Sequence, residues 1–257
     1  MNQFKNCTLF VACTLLASLF ACDYSDDADQ VGWSVGIVKE NKTTNEQYMQ
    51  SWGLGNLTTP ANPNEWTIGG TYRFDFKISF DQQTPNAPYT IARLSNVTPL
   101  PPVVATPITA SNGLLGRVGE RTIESITPIT QIDQTLFVET ESLAPELEDL
   151  NYNLFFNIDS IEVSAQDTTY LLYLLSEHIS ETPLPEARNR SVTQALSLAP
   201  LTEQIKRSGS VRDSIDCKLY FINEIIKEED ENVVTYNTSS VSQVFRIPST
   251  KIGRAHV

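Results

Sequence analysis

The sequence predicts an all-β protein built as two units, and three observations carry that prediction. One stretch alternates apolar and polar residues with the period of two that marks a strand with one buried and one wet face. A series of short segments rich in β-branched and aromatic residues, bounded by turn formers, reads as further strands. Only one segment, Ser191 to Arg207, reads as a helix, and Pro200 should split it into two short pieces. One helix among about eleven strands gives an all-β class.

The chain opens on an export pattern: Lys5 supplies the charge and Leu9 to Phe20 is almost wholly apolar or small. That run is short for a bilayer span, which needs about 20 apolar residues, so residues 1–21 read as a signal peptide. Leu19-Phe20-Ala21-Cys22 resembles the bacterial lipobox, in which cleavage precedes a cysteine that receives lipid. The cysteine separates this site from an ordinary secretory site, which needs only small residues. Residues 22–30 then carry four acidic residues in the eight that follow Cys22, Asp23, Asp26, Asp27 and Asp29 among Tyr24, Ser25, Ala28 and Gln30. With nothing to bury, this stretch is a solvated tether. Such an acidic cluster resembles the surface-export signal of certain Gram-negative anaerobes, which predicts an outer-membrane lipoprotein facing the cell exterior. In other bacteria an aspartate directly after the cysteine means inner-membrane retention.

The first β unit is expected over residues 31–110. Its clearest strand is Thr71 to Phe80, where Tyr72, Phe74, Phe76, Ile78 and Phe80 alternate with Thr71, Arg73, Asp75, Lys77 and Ser79. Weaker strands are expected at Trp33 to Val38, Thr90 to Val97 and Val103 to Thr106. Thr98-Pro99-Leu100-Pro101-Pro102 belongs at an edge or in a connector, because proline donates no ladder hydrogen bond. The turn-rich stretch Ala110 to Gly119 marks the boundary to a second unit, 111–250. Its strands are expected at Thr122 to Ile129, Thr135 to Glu139, Tyr152 to Val163, Thr169 to Leu175, Ser214 to Ile226, Val233 to Tyr236 and Val241 to Ile247. Codons permitted by Lys251 to Val257 match the start of a common short-read sequencing adapter, so residues 251–257 read as read-through, with the natural chain truncated near Thr250.

A net charge of -13 and a pI near 4.6 argue against nucleic acid as a partner. Cys7 and Cys13 leave with the signal peptide and Cys22 takes lipid, so Cys217 is the remaining thiol. It alternates with Ile215, Leu219 and Phe221, the pattern of a small buried hydrophobe, and no activating base is visible near it.

Catalytic motifs fail on context. Gly32-Trp33-Ser34-Val35-Gly36 matches G-x-S-x-G, but the nucleophile elbow needs a buried strand before it and a helix after it, whereas a tether precedes and β-rich sequence follows. A hydrolase using Ser34 would also need His178, which follows the apolar run Tyr170 to Leu175 at a strand end and reads as a surface residue. One such histidine builds no zinc site. The acidic groups Glu139/Glu141, Glu146/Glu148/Asp149 and Glu228 to Glu231 lack the spacing of a calcium loop and read as solvated charges. Gly113, Gly116 and Gly119 are spaced by three and match no phosphate-binding loop. No catalytic residue, metal site or cofactor is expected.

The tryptophans Trp33, Trp52 and Trp66 all lie in the first unit. Core packing is the common use of such residues, and exposed ones are platforms for sugars or peptides. Trp52 and Trp66 flank the loop Gly53 to Pro60 and are the candidate ligand-binding pair. Asp159-Ser160-Ile161, Asp167-Thr168-Thr169 and Asp213-Ser214-Ile215 resemble an O-glycan acceptor of exported proteins in the same anaerobes, a motif of low specificity.

Together, the lipobox and acidic tether, Gly70 to Ile78 running into Tyr89 to Val97, Tyr152 to Phe156 and Asp216 to Phe221 resemble the NigD-like lipoproteins. The resemblance spans most of the mature chain by pattern. It implies an OB-like β barrel followed by a β sandwich, and no catalytic residues. The expected function is a membrane-anchored, non-enzymatic binding module for a protein or glycan partner. A structural accessory subunit of an outer-membrane assembly is the alternative.

Overall fold

The structure, a computed structural model, describes residues 29–60, 66–108, 120–144, 150–163, 168–178, 188–208, 214–227 and 234–247. The signal peptide, Cys22, most of the tether, the 110–119 boundary and residues 251–257 lie outside them. Within them the fold is all-β, with one α helix, as expected.

The first sheet holds β1 (Gln30–Glu40), β2 (Gln47–Ser51), β3 (Gly55–Thr58), β4 (Thr71–Ile78), β5 (Thr90–Ile91) and β6 (Arg93–Pro99) in the order β5-β3-β2-β1-β4-β6. The two edge strands are consecutive pieces of one extended stretch, interrupted only at Ala92. β5 runs parallel to β3 through Leu57↔Thr90, while β6 runs antiparallel to β4 through Phe76↔Leu94. The Ala92 N–H donates to the Thr58 carbonyl at 2.9 Å, so the sheet closes on itself, the connectivity of an OB barrel. Val38, Met49, Leu57, Tyr72, Phe74, Phe76 and Ile78 fill it.

The alternation read in β4 holds through Ile78 and then ends. Phe80, expected on the buried face, begins a short 3-10 turn over Phe80–Gln82 and is 55% exposed. Thr71, expected on the wet face, is buried, and its hydroxyl donates to the Leu100 carbonyl.

The second unit is two packed sheets. One holds β10 (Ile123–Ile132), β11 (Thr135–Ala144), β14 (Arg188–Ser197) and β7 (Val103–Val104) in the order β10-β11-β14-β7. The other runs β16-β15-β13-β12-β8, from β16 (Val234–Arg246), β15 (Ser214–Lys227), β13 (Thr168–His178) and β12 (Leu150–Val163) to β8 (Thr106–Pro107); β9 (Glu120–Arg121) pairs with β13. Ile126, Leu136, Val138 and Leu196 from one sheet meet Leu154, Phe156, Leu172, Leu219 and Phe245 from the other in one core. Each such side chain contributes roughly 1.5–3 kcal/mol by leaving water. Tyr152 buries its hydroxyl in this core within 3.3 Å of the hydroxyls of Thr140 and Ser142, which satisfies all three. β7 and β8, which precede the expected boundary, already pair with sandwich strands: Val103 with Leu196, Thr106 with Phe155.

Two further expectations are corrected. Ser191 to Ser197 is not helix but the second half of β14, paired with β11 from Thr135↔Ser197 to Ala144↔Arg188. The helix α1 is Ala199–Arg207, and Pro200 starts it rather than splitting it, since the first turn needs no proline N–H. Residues 234–246 form one strand, not two, laddered along β15 from Lys227↔Val234 to Ser214↔Arg246.

The two units meet along β1. Ser34, Val35, Gly36, Ile37 and Val38 are all buried, the mark of a strand covered on both faces. Val38 joins the barrel core, and a Cβ on Gly36 would stand 2.8 Å from the Met49 side chain. Val35 and Ile37 point the other way, onto Ile132, Phe137 and Ala195 of the sandwich. Lys39 pairs with Asp133 in the β10–β11 turn at the margin of this joint.

Candidate aromatic binding face

The outer face of β1 does not end at the joint. Beyond Val35, the same side of the strand presents Trp33 and Val31, 38% and 68% exposed. The β2–β3 turn brings Trp52, 43% exposed, to within 6.1 Å of Trp33 between ring centroids, with the planes tilted at 50°. Tilted contacts of this kind are a favoured aromatic geometry. From β4, Arg73 lays its guanidinium over the Trp33 ring, 5.1 Å from the centroid. Register explains the contact: Val35 pairs with Arg73 and Trp33 with Asp75, so Arg73 reaches Trp33 diagonally.

Trp52 is fixed from both sides of its peptide unit. Its N–H donates to the Val35 carbonyl at 3.0 Å, and its carbonyl accepts from the Ser34 hydroxyl at 2.9 Å. The turn behind it runs through Gly53 and Gly55, both at φ +72, a region that a side chain makes costly. Leu54 between them packs against the barrel core.

These contacts dispose of Ser34 as a nucleophile. It is 1% exposed, sits inside a strand rather than on a strand-to-helix turn, and commits its hydroxyl to a backbone carbonyl. Its role is to position Trp52. His178, the triad partner that reading required, is the last residue of β13 in the sandwich, at the strand end expected for it.

The sequence paired Trp52 with Trp66, which the structure does not bring together as an exposed pair: Trp66 is half-buried against the barrel core. The residues that sequence reasoning missed as site members are Trp33, noted but not chosen, and Arg73. Glu139 and Glu141, read as solvated charges, lie in β11 and accept hydrogen bonds from Ser191 and Ser125. Asp159, Ser160 and Ile161 fall within β12. Cys217 is buried, and desolvation, reinforced by Asp216, pushes its thiol up to about 12, which keeps it protonated at neutral pH. Among the described residues no three histidine, cysteine or carboxylate side chains group to hold a metal ion. None of the described helices is long and apolar enough to cross a membrane.

A concavity of ≈ 700 Å³ lies where the β10–β11 turn meets β16, lined by Gln131, Asp133, Gln243, Val244 and Arg246. The Gln131 side-chain amide bonds both backbone groups of Arg246, at 2.8 and 2.6 Å, and so caps the sheet edge there.

Solved structures share the fold. An uncharacterized protein from Parabacteroides merdae aligns with a TM-score of 0.61 at 17% identity, over 85% of this chain and 100% of that one. A protein provisionally described as a lipoprotein, from Bacteroides fragilis, aligns with a TM-score of 0.57 at 14% identity, over 85% and 97%. The similar structures also include a NigD-like immunity protein from Bacteroides caccae, TM-score 0.49 and 11% identity, over 84% and 97%. What the P. merdae and B. fragilis proteins share with this chain is the fold. No family model matches the chain, and no curated protein sequence matches it.

Proposed function

We propose that this chain is a lipid-anchored lipoprotein that faces the cell exterior and binds a glycan without turning it over. The observation that carries the binding reading is the exposed Trp33–Trp52 pair, held in place by backbone anchors on the barrel. Large aromatic rings left open on a rigid strand are costly to leave in water unless a ligand covers them, and the faces of sugar rings do so. Leu19 to Cys22, the acidic tether and the lipoprotein description of the B. fragilis relative support the anchor. In sequence, Trp33 follows Cys22, the proposed point of attachment, by eleven residues.

Two measurements test the two halves of the proposal. Fatty-acid labelling of the full chain in its native host should be lost in Cys22→Ala, and protease shaving of intact cells should release the β units. Labelling that survives Cys22→Ala removes the anchor, and full protection removes the outward orientation. A glycan array probed with the mature protein should give hits that Trp52→Ala abolishes; hits unaffected by that variant would place binding elsewhere.

A further inference from the structure

We infer that the glycan taken by this face is anionic and that Arg73 receives its acidic group; the inference rests on the glycan-binding reading above. In a chain with 31 acidic against 18 basic residues, cations are normally claimed by carboxylates. Lys39 pairs with Asp133, Lys77 with Asp29 and Lys206 with Glu203. The Arg73 side chain has no carboxylate partner among the described residues, and its contact is the face of Trp33.

The nearest carboxylate along β4, Asp75, opposite Trp33, accepts from Asn96 Nδ2 at 2.7 Å. A guanidinium resting on an aromatic face keeps its N–H groups available at its edge, in the fork that matches a carboxylate or sulfate. Across Trp33 from it, on the β2 side of β1, Trp52 offers the more exposed ring of the pair. The juxtaposition of a guanidinium without a carboxylate partner and an open indole suits one ligand chemistry, a sugar ring that bears an acid. On a surface of net negative charge, a cation without a carboxylate partner lowers the repulsion that an anion meets there.

The test uses the mature protein and tryptophan fluorescence or calorimetry with four probes: oligogalacturonate, its methyl ester, a sulfated oligosaccharide, and vesicles of phosphatidylglycerol with phosphatidylcholine. Preference for an acidic sugar of at least tenfold over the neutral ester is expected, with the carboxylated and sulfated arms telling which acid is preferred. Arg73→Gln should erase that preference by weakening binding of the acid more than of the ester, and Arg73→Lys should restore part of it. Acid and ester bound equally by the wild-type protein, with both lost in Trp52→Ala, would overturn the inference and leave the glycan reading standing. Binding to none of the sugars, or to the anionic vesicles alone, would overturn both. The wild-type comparison of acid with ester needs no variant to fold.

Discussion

The outer face of β1 is one surface in two environments. At Val35 and Ile37 it is closed by Phe137, Ile132 and Ala195; at Trp33 and Val31, on the same side of the same strand, it is open. Both halves are apolar and share the same alternation, so local sequence does not distinguish them. The difference is how far the sandwich reaches along the strand. Where it reaches, apolar side chains hold two units together. Where it stops, Trp33 and Val31 stay exposed, on the surface proposed to take a ligand.

That contrast can be broken most severely from the covered side. Phe137→Ala should cost about 3–5 kcal/mol, the usual range for a fully buried phenylalanine, read as a fall in the urea midpoint. A cost below about 1 kcal/mol would mean that the joint is not packed as described. Ser34→Ala acts between the halves. It leaves the Trp52 carbonyl without its donor and should cost about 1–3 kcal/mol, with a red shift in tryptophan emission as the turn loosens. Unchanged emission would show that Ser34 does not position Trp52. At the margin of the joint, Lys39→Ala should cost no more than about 1 kcal/mol, and less as salt rises, because the Lys39–Asp133 pair is partly exposed. A larger, salt-independent loss would make that pair a structural member of the joint.

What the sequence disclosed follows the same division. A strand with one wet face announces itself, and β4 did so from Tyr72 to Ile78 until the chain turned at Ser79. Strands buried on both faces, or polar on most positions, do not. β14 sends Leu196 into the sandwich core and Ala195 into the joint, so its apolar residues run together and were read with the following helix. β2 has Met49 facing the core amid Gln47, Gln50 and Ser51, and no periodicity shows. Missing β2 also hid the site. Its pairing with β1, Gly36↔Ser51, is what sets Trp52 beside Trp33, nineteen positions away, rather than beside Trp66 across the loop. Arg73 was visible as a wet-face residue of β4, but its lack of a carboxylate partner is a fact of three dimensions alone.

The most direct test of the division between a covered, stabilising half and an open, binding half is Trp52→Ala, with unfolding and glycan affinity measured on the same preparation. Stability should change by no more than about 1.5 kcal/mol, the worth of one aromatic pair, while affinity for the array-selected glycan falls at least tenfold. A variant that loses several kcal/mol of stability and binds as the wild type does would contradict the account, since Trp52 would then belong to the structural half.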